Sequence, residues 1–237
     1  DARPPIGRRG GGAMRKSAPA LLLLFSALGL FSCLPSNPAV TPVPPTVESM
    51  EGFATLRLAR GGETAKSKLS FLFRLPGQGR VEVIDPLGRT ASILFLDGEE
   101  AYLVLPGRRA YWKSSRDEVM SKLLGFALGL EDLAHILTGR GDRLSGWTLE
   151  RDSQGRVIRG RSEDVQFEVR QFFEESPIPR LLVLIRAEDR GSLRILRLSF
   201  NQPLKEKAFQ LFFLEESGYR AADWNEVEGW IRETAER

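Results

Sequence analysis

Few side chains in this chain could carry chemistry, and they do not assemble into a reacting set. His135 is the single histidine among 237 residues. A hydrolytic triad needs an imidazole within reach of a nucleophile and an orienting acid. His135 instead falls beside Ile136 in a short helical pattern, where it reads as an ordinary helix residue. One histidine and one cysteine cannot build a nitrogen and sulfur metal site, which leaves only all-carboxylate sites open. The acidic pairs Glu99-Glu100, Glu174-Glu175 and Glu215-Glu216 fall near expected strand ends, where solvated charge is the ordinary reading. A glycosidase would need two carboxylates facing each other across a cleft. Gly10-Gly-Gly12 lacks the lysine of a phosphate loop. No metal or cofactor is expected, and the chain reads as a non-enzyme.

The one residue with a defined covalent expectation is Cys33, the only cysteine. Ahead of it stand Arg15 and Lys16, then a leucine-rich apolar run from Ala18 to Phe31 that is too short for a comfortable membrane span. A basic start and a short apolar stretch mark an export signal, assigned here to residues 14–32. Residues 1–13 read as sequence upstream of Met14. Leu30-Phe31-Ser32-Cys33 resembles the bacterial lipobox, with Phe31 bulkier than is usual at its place. The resemblance implies that Cys33 takes a diacylglyceryl group and becomes the new N-terminus. Leu34 stands where an aspartate would hold an enteric lipoprotein in the inner membrane, so the outer membrane is the expected address. With one thiol, no disulfide can form within the chain. Residues 33–50 are read as lipid anchor and linker. Pro35, Pro38, Pro42, Pro44 and Pro45 favour an extended tether over the stretch from Pro35 to Thr46.

The formal net charge of +3 does not make a nucleic-acid binder. Residues 1–33 hold five cations against the single acid Asp1, which leaves the rest of the chain about one charge negative. Hydrophobic residues at 42% and charged residues at 27% are globular values, and the length allows one sizeable core.

From Gly52 the dominant period is two. Ala54, Leu56 and Leu58 alternate with Phe53, Thr55 and Arg57, then Leu69, Phe71, Phe73 and Leu75 with Ser70, Leu72 and Arg74. Strands are expected again at Val81–Ile84, Ala91–Leu96, Ala101–Leu105, Arg156–Ile158, Val165–Phe172, Leu181–Ile185 and Leu193–Phe200, with a weaker one from Phe209 to Leu214. Many of these are apolar on both faces, so the second face must be covered or must line a cavity. Between the two sets of strands the period changes. Ser115-Arg-Asp-Glu118 is a capping-box pattern followed by Val119, Met120, Leu123 and Leu124, and a second short helix carries Leu130, Leu133, Ile136 and Leu137 before Gly139. The expected fold is mainly β with α: a single curved antiparallel sheet of about ten strands, an incomplete barrel capped by short helices. It occupies residues 51–216, with a helical tail over 217–237. That tail, with Asp223 and Glu226 as cap and Val227, Trp230 and Ile231 on one face, is expected outside the sheet or on its edge.

One turn asks for more than turn chemistry. In Asp85-Pro-Leu-Gly88, Pro86 fixes its own φ and Gly88 can take a positive one. Leu87 has no such role, and a large aliphatic side chain at a hairpin tip either folds back or meets water, membrane or ligand.

Phe71-Leu-Phe-Arg74 leading to Asp85-Pro-Leu-Gly88, the two helices ending at Gly125 and Gly139, and the lipobox together are similar to the LolB family of outer-membrane lipoprotein receptors, and more distantly to its periplasmic partner LolA. The resemblance covers about Gly52 to Phe213. It implies an apolar cavity that takes lipoprotein acyl chains from a LolA-like periplasmic carrier and a protruding leucine that passes them to the outer membrane, without nucleotide. Pro86, Leu87 and Gly88 occupy the membrane-insertion tip. The cavity wall is expected from Phe71, Phe73, Val83, Ile93, Phe95 and Leu103, and its helical lid from Met120, Leu123, Leu133 and Leu137. The implied protein is a monomer, lipid-anchored and facing the periplasm, whose partners are the carrier, acylated lipoproteins and the membrane, with no nucleic acid. Three other readings compete: the same scaffold carrying a glycolipid or phospholipid, an envelope enzyme with a carboxylate pair in a polar cleft, and a structural lipoprotein with no cavity.

Overall fold

The computed structural model describes residues 39–85, 87–125, 128–163, 165–211 and 213–235. The expected signal segment, Cys33 and Pro86 lie outside the described residues. Twelve strands form one sheet: β1 (Ser49–Arg60), β2 (Glu63–Arg74), β3 (Gln78–Ile84), β4 (Thr90–Asp97), β5 (Glu100–Leu105), β6 (Ala110–Ser115), β7 (Thr148–Arg151), β8 (Val157–Arg161), β9 (Gln166–Phe172), β10 (Pro179–Arg186), β11 (Asp189–Phe200) and β12 (Arg220–Ala221). Two antiparallel meanders, β1 to β6 and β7 to β11, are joined where β1 pairs with β11. The short β12 runs parallel to β6 and covers one edge, while β7 is the other edge, so the curved sheet does not close into a barrel.

Register sorts the side chains into two faces. Trp112, Leu103, Leu94, Val81, Phe71, Gly52 and Leu198 stand in one row across seven strands on the concave face. One residue along, Tyr111, Val104, Ile93, Glu82, Ser70, Phe53 and Arg197 make the matching convex row. Side chains alternate faces along a strand, so Ile93 and Phe95 point away from the concave side that holds Leu94 and Leu96. The expectation that Ile93 and Phe95 line the cavity is therefore corrected. They form a second, convex cluster with Val104 and Leu214, edged by Leu211, Tyr102, Tyr111 and Tyr219.

That convex cluster accounts for a second departure. The stretch from Phe209 to Leu214 is not a strand: a 3-10 turn covers Glu206–Ala208, and a short helix α3 covers Phe213–Glu216. Its leucines pack onto the back of β4 instead of joining a ladder. Arg80 fastens this cover by donating to the Ala208 carbonyl at 3.0 Å, and Arg74 does so by pairing with Glu206 at 2.9 Å.

Two helices cross the concave side, α1 (Arg116–Leu124) and α2 (Leu130–Leu137). The Ser115 side chain accepts the Glu118 N–H at 3.3 Å and caps α1. Gly125, at φ +83°, ends α1 in the left-handed conformation. Helix α4 (Trp224–Ala235) follows a reciprocal box in which the Glu226 N–H donates to Asp223 and the Asp223 N–H donates to Glu226, at 3.0 and 3.4 Å. Asp223 and Glu226 thus act as the sequence suggests, and of the two expected places, outside the sheet or on its edge, the helix takes the edge beside β6 and β12 with its apolar face turned into the core. Val227 is fully buried in the main core, and the Trp224 ring lies 4.7 Å from that of concave Trp112.

The proline-rich stretch is attached to the domain from Ala39 onward. The Leu198 N–H donates to the Ala39 carbonyl at 2.9 Å and the Thr41 N–H to the Leu198 carbonyl at 3.1 Å. Val40, Val43 and Val47 pack on the core. The extended tether expected up to Thr46 therefore gives way to packed chain by Ala39.

Candidate functional site

Between the concave face and the helices lies a cavity of about 290 Å³. This is near the lower end of the range for small-molecule sites. Leucine dominates its lining; among the described residues the only polar side chains there are Ser67 and Ser92, and no titratable group reaches it. Buried charge is costly without a partner. This site avoids the problem by having none, and it offers an occupant only dispersion and release from water.

Phe71, Phe73, Val83 and Leu103 of the sheet line the cavity, as do Met120 and Leu123 of α1 and Leu133 and Leu137 of α2. The sequence assigns these eight to a cavity wall and its lid together with Ile93 and Phe95, and those two do not line this cavity. Their places in β4 are taken by Leu94 and Leu96. Leu184 of β10 and Leu193 of β11 also contribute, from strands whose facing residues could not be sorted by period alone. Ile231 of α4 is the least foreseen member, because nothing local says which core a C-terminal amphipathic helix will meet. Its caps and apolar spacing identified the helix and not its berth.

The cavity is graded in exposure. Phe73 at the deep end is 3% exposed, whereas Leu56, Leu58 and Val83 are half-buried and Ile231 is 39% exposed. The mouth therefore lies at the end of the sheet where β1 turns into β2 and β3 into β4. Two arginines hold α1 over that mouth: Arg60 donates to the Lys122 carbonyl at 3.2 Å and Arg186 to the Gly125 carbonyl at 2.9 Å. Both place positive charge on the C-terminal carbonyls of the helix, where its dipole favours it.

Leu87 stands at this same end, four residues beyond cavity-lining Val83, and is 76% exposed. It does not fold back on the sheet. Gly88, at φ +81°, closes the turn by donating its N–H to the Asp85 carbonyl at 3.0 Å. The Asp85 carboxylate receives the N–H groups of Leu87 and Arg89 at 2.9 and 2.8 Å and the Arg89 Nε at 2.9 Å. These bonds, led by that from the Arg89 N–H, hold the Asp85 carboxyl below the usual aspartate range against an opposing desolvation.

The remaining chemistry-bearing residues stay apart. His135 is half-buried in the last turn of α2 and does not line the cavity. Glu99 pairs with Arg116 at 3.4 Å and Glu100 with Lys113 at 2.7 Å, while Glu174 and Glu175 are exposed. The cavity between sheet and helices is apolar, whereas a separate depression on the convex face is lined by Glu51, Arg80, Glu82 and Arg197, with Glu82 paired to Arg80 at 2.6 Å.

A family-level sequence match to the outer membrane lipoprotein LolB spans residues 56–202, which contains the Leu87 turn, both lid helices and most of the cavity wall but not α4. A search of curated proteins returns no match. Among solved structures, a domain described as an outer membrane lipoprotein-sorting protein from Vibrio parahaemolyticus superposes with a TM-score of 0.50 at 12% identity, over 71% of this chain and 92% of that one. A LolA superfamily protein from Nitrosomonas europaea gives a TM-score of 0.49 at 13% identity, over 73% and 93%. At 12% identity the Vibrio likeness speaks to fold alone. The match over residues 56–202 is a match of sequence, and by it the chain belongs to the LolB family of outer membrane lipoproteins.

Proposed function

We propose that the protein is a lipid-anchored acceptor that takes lipoproteins from a LolA-like periplasmic carrier and inserts them into the outer membrane. The observation that carries this reading is the uncharged, leucine-rich cavity whose mouth lies beside an exposed leucine. Each acyl methylene left in water costs roughly 0.8 kcal/mol, so a lipoprotein's chains need continuous cover between two membranes. The cavity of Phe71, Leu94 and Met120 supplies that cover, and Leu87 gives the chains an apolar step into the bilayer. Direction follows from affinity: the acceptor binds acyl chains better than the carrier and less well than the membrane, and no nucleotide or catalytic step is required. In this reading the signal segment 14–32 is removed, Cys33 carries the lipid, and the monomeric domain faces the periplasm from the outer membrane.

The test is transfer of a labelled lipoprotein from carrier to vesicles by the intact protein and by Leu87→Glu. The variant is expected to load cargo and fail to release it into lipid. Equal delivery by both would overturn the role of the tip. Native mass spectrometry of protein extracted from membranes identifies the cargo: a bound lipopeptide supports the proposal, and a free glycolipid or phospholipid replaces it with carriage of that lipid.

A further inference from the structure

The convex face beside the mouth carries charge that the fold does not use. Arg57 of β1 stands directly opposite Lys66 of β2, and Lys68 lies two residues further along the same face, level with Ile84 at the base of the Leu87 turn. Arg190, two rows toward the mouth from Thr55 on the neighbouring β11, pairs in register with Ala59. All four side chains are exposed, and none forms an ion pair among the described residues. Like charges facing each other across two strands destabilise a sheet. The acids nearby are partly committed: Asp85 to Arg89 and Asp189 to Arg60, which leaves Glu63 and Glu188 against the four free cations. Cations on long flexible stems therefore stand to one side of an apolar side chain that projects from a turn.

We infer that this end of the protein docks on an anionic phospholipid surface, with Leu87 entering the acyl region and Arg57, Lys66, Lys68 and Arg190 at the level of the headgroup phosphates. A single leucine projecting from a turn suits a fluid apolar phase better than a shaped protein pocket. Strands lie about 4.8 Å apart, so the cations from β2 across to β11 reach one plane beside the tip. The inference rests on the membrane-facing reading of Leu87. It adds that the contact is electrostatic and selects for lipid charge, which makes it sensitive to salt.

The test uses the full chain in nanodiscs, without cargo or carrier, and compares phosphatidylcholine alone with discs containing about one-third phosphatidylglycerol. Labelling of lysines by a water-soluble amine reagent is read by mass spectrometry. Lys205 and Lys207, exposed beside Glu206 at the opposite end of the sheet, are the internal reference. In the anionic discs, labelling at Lys66 and Lys68 is expected to slow by on the order of fivefold relative to the reference, and to recover at about 0.5 M salt. Arg57→Glu is expected to restore labelling of Lys68 without altering the melting temperature downward. Equal labelling in both kinds of disc would overturn the inference, as would protection that appears only when the carrier protein is added, which would assign the patch to an acidic protein. Cargo is absent, so lost protection counts against docking alone, whereas failed lipoprotein transfer counts against the receptor reading.

Discussion

Asp85 accepts the backbone N–H of Leu87 at 2.9 Å, so the most exposed large apolar side chain among the described residues is held in place by a carboxylate two positions before it. An unrestrained leucine would save free energy by lying down on the sheet. This one is presented, and its presentation depends on a group that titrates.

That dependence has a sign. A carboxyl whose folded pKa lies below its unfolded value binds protons less readily when folded, so its contribution is complete above the ordinary aspartate value near 3.9 and is lost as pH falls through the lower folded value. Protection of the Leu87 and Arg89 amides, read as exchange relative to the intrinsic rate at each pH, is expected to be present above that range and to fall as pH drops through it. Asp85→Ala should lack that protection at every pH, with the global melting temperature little changed because the turn is exposed. A Leu87 amide still protected in the variant would show that the turn holds itself.

The two faces of β4 should respond in opposite ways. Ser92 lines the cavity, and Ser92→Leu fills space an acyl chain would occupy, displacing roughly two methylenes. Binding of a fluorescent acyl probe is expected to weaken about tenfold with stability near that of the parent. Phe95→Ala empties the convex cluster instead and should cost about 3–5 kcal/mol in denaturant unfolding, while the folded fraction keeps its probe affinity. Exchanged effects, with Ser92→Leu costing stability and Phe95→Ala costing probe affinity, would mean that the sheet faces are assigned the wrong way round.

Gly52 is required by its neighbours. A Cβ there would meet both the Arg197 carbonyl oxygen and the tip of the Phe71 ring at 2.5 Å. Gly52→Ala must therefore move a backbone strand or turn a cavity-wall ring, at about 1–3 kcal/mol, which corresponds to a melting temperature lower by several degrees in a domain of this size. Adding Phe71→Leu should recover only part of that loss, because the carbonyl contact remains. Full recovery would assign the whole effect to the ring.

Within α4, two residues a turn apart should separate stability from binding. Val227 is fully buried, and Val227→Ala removes about two methylenes from the core, an expected loss of about 2 kcal/mol in unfolding experiments. Ile231 is 39% exposed and touches the cavity, so Ile231→Ala should leave unfolding nearly unchanged and weaken probe binding. If Ile231→Ala leaves probe binding intact, α4 covers the core without belonging to the site.

Much of this architecture is legible in the residues because strands such as β2 carry a clear alternation: Leu69, Phe71 and Phe73 face in while Lys68 and Ser70 face out. β4 shows where that legibility stops. Ile93, Leu94, Phe95 and Leu96 are all apolar, so the period cannot say which pair points inward, and only pairing with β3 and the cover from residues 206–214 decides it. Strands β6, β7 and β12 leave no such trace in the sequence. β7 has four residues and β12 only two, whose pairing is created by the edge it meets, while β6, as long as β5, ends in the polar run Lys113-Ser-Ser115. The helix caps at Ser115 and Asp223 were readable because capping is local. The destination of α4 was not, since Trp224 finds Trp112 across more than a hundred residues of intervening chain.

The separation of β7 from β12 has a mechanical consequence. A hoop of fixed strand number has a fixed girth, and widening it means tearing a ladder. A sheet with two free margins can uncurl slightly while every rung stays intact, so the volume under the helices can swell around a stout guest and shrink once it has gone.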